Sequence, residues 1–232
     1  MKYSFAQYYH ELVFDKEGYQ SYLNWVIQDS TGKHFLECAC GTGYLSHLLG
    51  RNGYSLDALD IDQGMIDLAN QDNKHENVNF FCLNMFDLSS LGLYDSIIIF
   101  LDSLNYCKDE SELRSFFSQA YNHLNDGGIL LFDLHHPNRL KEFSEEYIEE
   151  GVVLGNYYHW SIQTIDTDKI HHNIVVYEND SMFVNRIEQT VFSIDTIESI
   201  LKELSFEFER VLTFSESEFD IEEKLYYRAR KG

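Results

Sequence analysis

Four residues offer the first chemistry in this chain. Gly41 and Gly43 stand one residue apart, Glu37 lies just ahead of them, and Asp60 follows downstream. Glycine lets backbone approach a ligand where a Cβ would clash. An acid such as Asp60 can accept both hydroxyls of a ribose, and a carboxylate ahead of the glycines suits a cationic amino group. The set fits an adenosine-containing ligand. The surrounding pattern supplies elements to hold it. Residues 34–40 form an apolar run that ends in the glycine pair, and Leu45, Leu48 and Leu49 follow at helical spacing. A second apolar run, Leu56 to Asp60, ends in the acid. Strand, glycine turn, helix, strand, acid is the layout of a nucleotide-binding βαβ unit.

The same stretch excludes close alternatives. A dinucleotide fingerprint needs a third glycine where Ser46 stands. No Gly-Lys-Ser or Gly-Lys-Thr is present, so a phosphate-cradling P-loop is absent.

The rest of the chain supplies layers for a sheet. Residues 19–29 carry apolar positions at helical spacing, and Asp62 precedes a helix with Met65, Ile66 and Ala69. Val78 to Leu83 reads as a third strand. Ser96 to Leu101 is almost wholly apolar, as a central parallel strand requires. Asp109 and Glu112 have capping-box spacing and open a helix with Leu113, Phe116, Phe117, Ala120, Tyr121 and Leu124 inward. The segment Asn125-Asp126-Gly127-Gly128 is expected to stop that helix ahead of a strand from Ile129 to Asp133. From about Gly151 to Phe192 the helical period disappears, and polar turns at 164–169 and 178–181 separate strand-like runs. A helix resumes near Asp195. Phe206 to Phe214 and Lys224 to Arg230 read as closing strands. The expected fold is α/β: a doubly wound, mostly parallel, Rossmann-like seven-stranded sheet with a small antiparallel β insertion. The expected division is residues 1–140 with 193–232 for cofactor binding, and 141–192 as the insertion.

Composition narrows the partners. Among 232 residues, 17 basic against 39 acidic side chains give a net charge of −22. Such a surface disfavours nucleic acid and anionic membranes, whose binding rests on Lys and Arg. No apolar run approaches the roughly 20 residues of a membrane helix, and the N-terminus has no signal-peptide core. Cys38, Cys40, Cys82 and Cys107 lie on or beside predicted core strands, with Cys38 and Cys40 on one face. Buried free thiols and a cytoplasmic location are expected, and no metal site.

At this point the chain resembles class I S-adenosylmethionine-dependent methyltransferases. Residues 37–43 are similar to their first motif, Asp60-Ile61-Asp62 with the helix through Ala69 to the second, and Asn84-Met85 to the pair that meets the adenine. Residues 95–106 resemble the fourth motif, and 124–133 the segment after it. The opening Phe5 to His10 resembles one subgroup, which includes small-molecule N-methyltransferases and has an aromatic N-terminal helix over the cofactor and an antiparallel insertion. His10 stands where that subgroup usually has an acid.

The resemblance implies roles. S-adenosyl-L-methionine would be the cofactor, bound by Tyr8, Glu37, Ala39, Gly41, Gly43, Asp60, Ile61, Met65, Asn84, Met85, Phe100 and Leu101. Glu37 would hold the methionine ammonium and Asp60 the ribose. Ile61 and Met65 would line the adenine, and Asn84 would meet its amino group, with Asp87 as a second candidate. Tyr8 would form the lid, with Tyr3 and Tyr9 behind it. Methyl transfer is an in-line displacement that needs alignment more than a dedicated base. If a base acts, His135 or His136 just past the fifth strand is best placed, and His135 is the choice. His159, His171 and His172 lie in the insertion and either face the acceptor pocket or stand as exposed strand residues, the second being the preferred reading. A small-molecule acceptor is expected, and a homodimer is open. The competing readings are an oxidoreductase using a nicotinamide nucleotide, a non-catalytic cofactor-binding module and an RNA-directed methyltransferase.

Overall fold

The computed structural model describes residues 4–72, 75–179, 181–211 and 222–232. Tyr3 and residues 212–214, part of the expected lid and of a closing strand, lie outside them.

The main sheet has seven strands: β1 (His34–Cys38), β2 (Ser55–Asp60), β3 (Val78–Cys82), β4 (Tyr94–Ile99), β5 (Leu124–His135), β10 (Phe206–Val211) and β11 (Lys224–Lys231). Their order is β10-β11-β5-β4-β1-β2-β3. The pairs from β3 to β5 are parallel, whereas β11 runs antiparallel to both β5 and β10. This is the expected doubly wound, mostly parallel sheet.

Burial explains why these runs became strands. Ile97 and Ile99 on β4 enter one core while Ile98 enters the other. A strand covered on both faces has no polar side, hence the unbroken apolar run. One cover is α2 (Lys16–Asp29) with α3 (Tyr44–Arg51), whose Tyr22, Trp25, Val26, Leu45 and Leu49 meet Phe35, Leu56 and Leu131. α4 (Gln63–Asp72) adds Ile66 against Ala58. The opposite cover is α5 (Glu110–His123) with α7 (Ile194–Glu203), which bury Leu113, Phe116, Phe117, Ile197 and Leu201.

Two local expectations need correction. Asp109 caps α5 by accepting from Ser111 and Glu112 amides, but Glu112 reaches back to the Lys108 amide and not to Asp109. The segment 125–128 does not stop the helix. α5 ends at His123, and β5 begins at once with Leu124, opposite Tyr94, through a register shift.

The second sheet has four antiparallel strands in sequence order: β6 (Tyr147–Val153), β7 (Asn156–Thr164), β8 (Lys169–Glu178) and β9 (Ser181–Thr190). A short α6 (Asn138–Glu142) leads into it. The N-terminal α1 (Phe5–Val13) packs its Tyr8 onto this sheet, against Val153, Tyr158, Ile174 and Val176. Ser4 and Gln7 close a capping box that starts α1. No described helix is long and apolar enough to cross a membrane.

Candidate active site

Parallel strands end together at one rim, and the candidate residues collect there. Cys38 of β1 pairs in register with Leu59 of β2, and Asp60 with Cys82 of β3. On the other side His135 of β5 lies opposite Lys224 of β11. Ligands of such sheets bind outside the C-terminal ends of the strands.

The turn after β1 is bent by three left-handed residues, Ala39 (φ 54°), Gly41 (φ 54°) and Gly43 (φ 73°). Ala39 holds this geometry without glycine's freedom, at a cost of about 1–2 kcal/mol. The bend sends Cys38 into one core and Cys40 into another. The expectation that both thiols share a strand face is therefore wrong, because the strand has already ended. Cys82 departs as well: it is exposed, on the edge strand β3. A Cβ on Gly41 would meet nothing within 4 Å, whereas one on Gly43 would strike the Phe80 ring at 2.6 Å. Gly41 thus borders open space, and Gly43 is required by packing.

Asp60 is fixed by backbone donors. Its Oδ2 accepts from the Gly41 amide at 2.9 Å, and its Oδ1 from the Asp62 amide at 2.9 Å. Burial pushes its carboxyl above the ordinary value, and these amides partly oppose the shift. Glu37 is buried and accepts a hydrogen bond from the Ser46 hydroxyl. Burial pushes its carboxyl up to about 8, with Ser46 opposing and the charge of Asp60 adding. Ser46 is the residue that breaks the dinucleotide fingerprint, and here it holds this acid.

Several other expected residues sit at or near the rim in varied settings. Ile61 is 70 % exposed beside Asp60, and Met65 is buried on α4. The Asn84 side-chain oxygen accepts from the Phe86 amide at 3.0 Å, and Met85 packs on the main core. Asp87 accepts from Ser89 in its own turn. Phe100 stacks on Tyr22, with centroids 4.7 Å apart, under α2. Leu101 (φ 58°) is exposed.

The N-terminal helix divides its tyrosines. The Tyr8 hydroxyl donates to Glu178 at 2.9 Å and accepts from Asn156 at 3.1 Å, so its ring and hydroxyl engage the second sheet. Tyr9 turns toward the rim, its hydroxyl 3.4 Å from that of Tyr106. His10 Nδ1 lies 2.9 Å from Thr42 Oγ1 and ties α1 to the glycine turn. Sequence reasoning had treated His10 only as a departure from the subgroup pattern.

His135 is 5 % exposed. Its Nε2 is 2.9 Å from Gln189 Oε1, an oxygen that also meets His172 Nε2 at 2.8 Å. Its Nδ1 faces Asp102 Oδ1 at 3.4 Å. Behind it lies a charged cluster absent from the sequence-based site. Lys224 Nζ is 3.0 Å from Asp102 Oδ2 and 3.1 Å from Asp133 Oδ2. Tyr22 donates to Asp133 as well. Burial lowers the Lys224 pKa, but Asp102 and Asp133 outweigh it and hold the ammonium above its ordinary value.

The other histidines divide. His136 Nδ1 accepts from the Asn138 amide at 3.1 Å, at the start of α6. His159 pairs with Glu150 and His171 with Glu188, each at 3.0 Å. His172 is not an exposed strand residue: it points inward, and burial depresses it to about 4. Among the described residues, no group of three or more His, Cys, Asp or Glu gathers as a metal site would require.

Comparison with known proteins agrees with this geometry. A family model described as a methyltransferase domain matches residues 35–128. A candidate methyltransferase of Geobacillus sp. (strain WCH70) is 27% identical, and the alignment covers 98% of each chain. The crystal structure of an S-adenosylmethionine-dependent methyltransferase from Clostridium acetobutylicum ATCC 824 superposes with a TM-score of 0.81 at 24% identity, over 98% of both chains. A sugar N-methyltransferase from Streptoalloteichus sp. ATCC 53650 gives 0.78 at 16% identity, over 100% of this chain and 94% of that one.

Proposed function

Because the chain is an enzyme with a methyltransferase domain on the class I fold and S-adenosylmethionine as its cofactor, we propose that it methylates a small molecule at nitrogen or oxygen. The observation that carries the site is the fixed Asp60 carboxylate, bonded to the Gly41 amide beside buried Glu37.

S-adenosylmethionine supplies a methyl group on a sulfonium, and the chain supplies position. In this reading Asp60 accepts the ribose hydroxyls and Glu37 the methionine ammonium. The open space over Gly41 takes the ligand's closest approach to backbone, and exposed Ile61 gives the adenine an apolar wall. Tyr9, with His10 latched to Thr42, covers the glycine turn and excludes water. Alignment of an acceptor behind the methyl carbon then accounts for most of the acceleration.

The acceptor is read as small because the net charge of −22 opposes a nucleic-acid substrate. The 16%-identical sugar N-methyltransferase is a relative in fold with a small acceptor. The antiparallel sheet is taken as the element that selects the acceptor and as a dimer contact. Its outer face aligns exposed Val152, Tyr157, Tyr177 and Met182 in one cross-strand row. Buried free thiols at Cys38, Cys40 and Cys107 suit a reducing cytoplasm.

Isothermal titration calorimetry with S-adenosylmethionine, S-adenosylhomocysteine and NADH tests the reading. The first two should bind, and Asp60→Ala should weaken both by about tenfold or more, from the loss of charge-assisted hydrogen bonds. Binding of NADH alone would overturn it.

A further inference from the structure

Ser46 and Glu37 meet across two elements. Ser46 lies fully buried in the first turn of α3, and Glu37 lies near the end of β1. A serine inside a helix commonly bonds to the carbonyl four residues back. This one donates instead to Glu37 Oε2. The sheet partners of Glu37 are Ala58 on β2 and Ile98 on β4, which carry no side-chain donor. Alternation along β1 sets Glu37 on the face of Phe35, in the apolar layer that Leu45 and Leu49 of α3 cover. Among the described residues, the Ser46 hydroxyl is the one hydrogen-bond donor to this carboxyl. A glutamate side chain turns about three torsions. A single donor on Oε2 holds it in place and leaves Oε1 for a ligand.

The nearby Asp60 is held in a different way. Its oxygens take the Gly41 and Asp62 amides, and an amide N–H only donates. A hydroxyl both donates and accepts. Ser46 therefore keeps its bond to Glu37 whether that carboxyl carries a proton or has lost it. Burial and the charge of Asp60 favour the acid form in the free protein, with Ser46 opposing, and an arriving ammonium favours the carboxylate. One carboxyl position serves both states. Residue 46 is also where a dinucleotide-binding turn has its third glycine, for close packing of helix on strand. A glycine there would offer Glu37 no donor.

We infer that Ser46 is a positioning residue for the cofactor: its hydroxyl aims Glu37 at the ligand's amino group and so selects a nucleoside with an amino-acid tail over the nucleoside alone. This rests on the methyl-transfer reading above, with Glu37 as the partner of the ammonium, and adds the residue on which that contact depends. Without the hydroxyl, the buried carboxyl has no donor and its ionised form loses support. The loss falls on the amino-acid end of the ligand. The adenosine end, assigned to Asp60 and Ile61, keeps its contacts.

The test sets S-adenosylhomocysteine against 5′-methylthioadenosine, which keeps the adenosine and the thioether but lacks the amino-acid tail. Isothermal titration calorimetry measures both on the parent, Ser46→Ala, Glu37→Gln and the double variant. The parent should prefer S-adenosylhomocysteine. Ser46→Ala should lower that preference about tenfold, by weakening S-adenosylhomocysteine and not 5′-methylthioadenosine. In the Glu37→Gln background the serine substitution should change the preference no further, because the two residues act as a unit. Equal weakening of both ligands, an unchanged preference, or additive losses in the double variant overturn the assignment. Ser46→Ala adds no bulk and suits a helix; if it does not fold, Ser46→Cys, a weak donor of similar size, is read in the same way. A parent that binds both ligands equally overturns the assignment and leaves the methyl-transfer reading standing. A parent that binds neither removes that reading, and this inference with it.

Discussion

Asp102 and Asp133 share one ammonium. Lys224 Nζ stands 3.0 Å from the first and 3.1 Å from the second, and the Asp102 amide donates to Asp133 Oδ1 at 3.1 Å. Their settings push them apart. Asp133 is fully enclosed, and burial raises it, opposed by Lys224 and reinforced by the charge of Asp102. For Asp102, burial is outweighed by His135 and Lys224, and the carboxyl is held low. Negative charge is thereby kept on Asp102, the less enclosed of the two.

Lys224→Met should expose what that ammonium offsets. Removing one partner of a buried ion pair leaves an uncompensated charge and costs about 3–5 kcal/mol. The loss should be larger at pH 8 than at pH 5.5, because protonation relieves two carboxylates that face each other. The parent's Asp102, with its depressed pKa, has the matching sign: its stabilisation is present above the ordinary carboxylate value and is lost as pH falls through the lower folded value. Urea denaturation at the two pH values reads the first effect and a series below about pH 4 the second; a Lys224→Met cost independent of pH would contradict the account.

With Glu37 as the proposed partner of the methionine ammonium, cofactor binding should release a proton. The Glu37 carboxyl is pushed up to about 8 from 4.5, so it is largely protonated at pH 7 in the free enzyme. An ammonium beside it favours the carboxylate, and binding should expel close to one proton near pH 6.5. Titrations of S-adenosylhomocysteine in buffers of different ionisation enthalpy count that proton, and Glu37→Gln should abolish it. The sign for folding follows: the raised value favours the native state fully below 4.5, and this contribution fades as pH rises through about 8. A proton count of zero in the parent would place the ammonium elsewhere.

The two glycines of the turn should fail differently. Gly41→Ala meets no atom within 4 Å and carries only left-handed strain, about 1–2 kcal/mol. Its methyl group enters the open space, so S-adenosylhomocysteine affinity should fall well beyond the loss in stability. Gly43→Ala adds a clash with Phe80 and Ala69, for which overpacking costs about 1–3 kcal/mol further. Melting curves and binding isotherms on both variants separate the two. Equal losses of affinity and stability in both would mean that the space over Gly41 is not the ligand's.

Local chemistry was legible in the sequence, and long-range pairing was not. Glu37, Gly41, Gly43 and Asp60 are tied together by one βαβ unit, so spacing alone found them. The cluster around Asp102 arises because β11 returns antiparallel and sets Lys224 opposite His135. No local pattern marks a lysine so far along the chain. Tyr8 and Tyr9 show a second limit. The helix was expected from the aromatic run Phe5 to His10 and its resemblance to a subgroup, but which tyrosine faces the rim depends on the sheet that α1 packs against. The end of α5 shows a third. Asn125 to Gly128 has turn composition, yet it forms the irregular stretch of β5 between the Tyr94–Leu124 and Ser96–Ile129 pairs, and not the stop of the helix.

Gln189 and Asn105 join the two sheets by single side chains. Gln189 Oε1 serves His135 and His172 together, while Asn105 accepts from the His135 amide and donates to the Thr190 carbonyl. The second sheet is thus not a free-standing module that evolution or an engineer can exchange at will. Any replacement for β6–β9 inherits two obligations to the main sheet. It has to present an acceptor to His135 and a carbonyl to Asn105, or the rim is remodelled along with the graft.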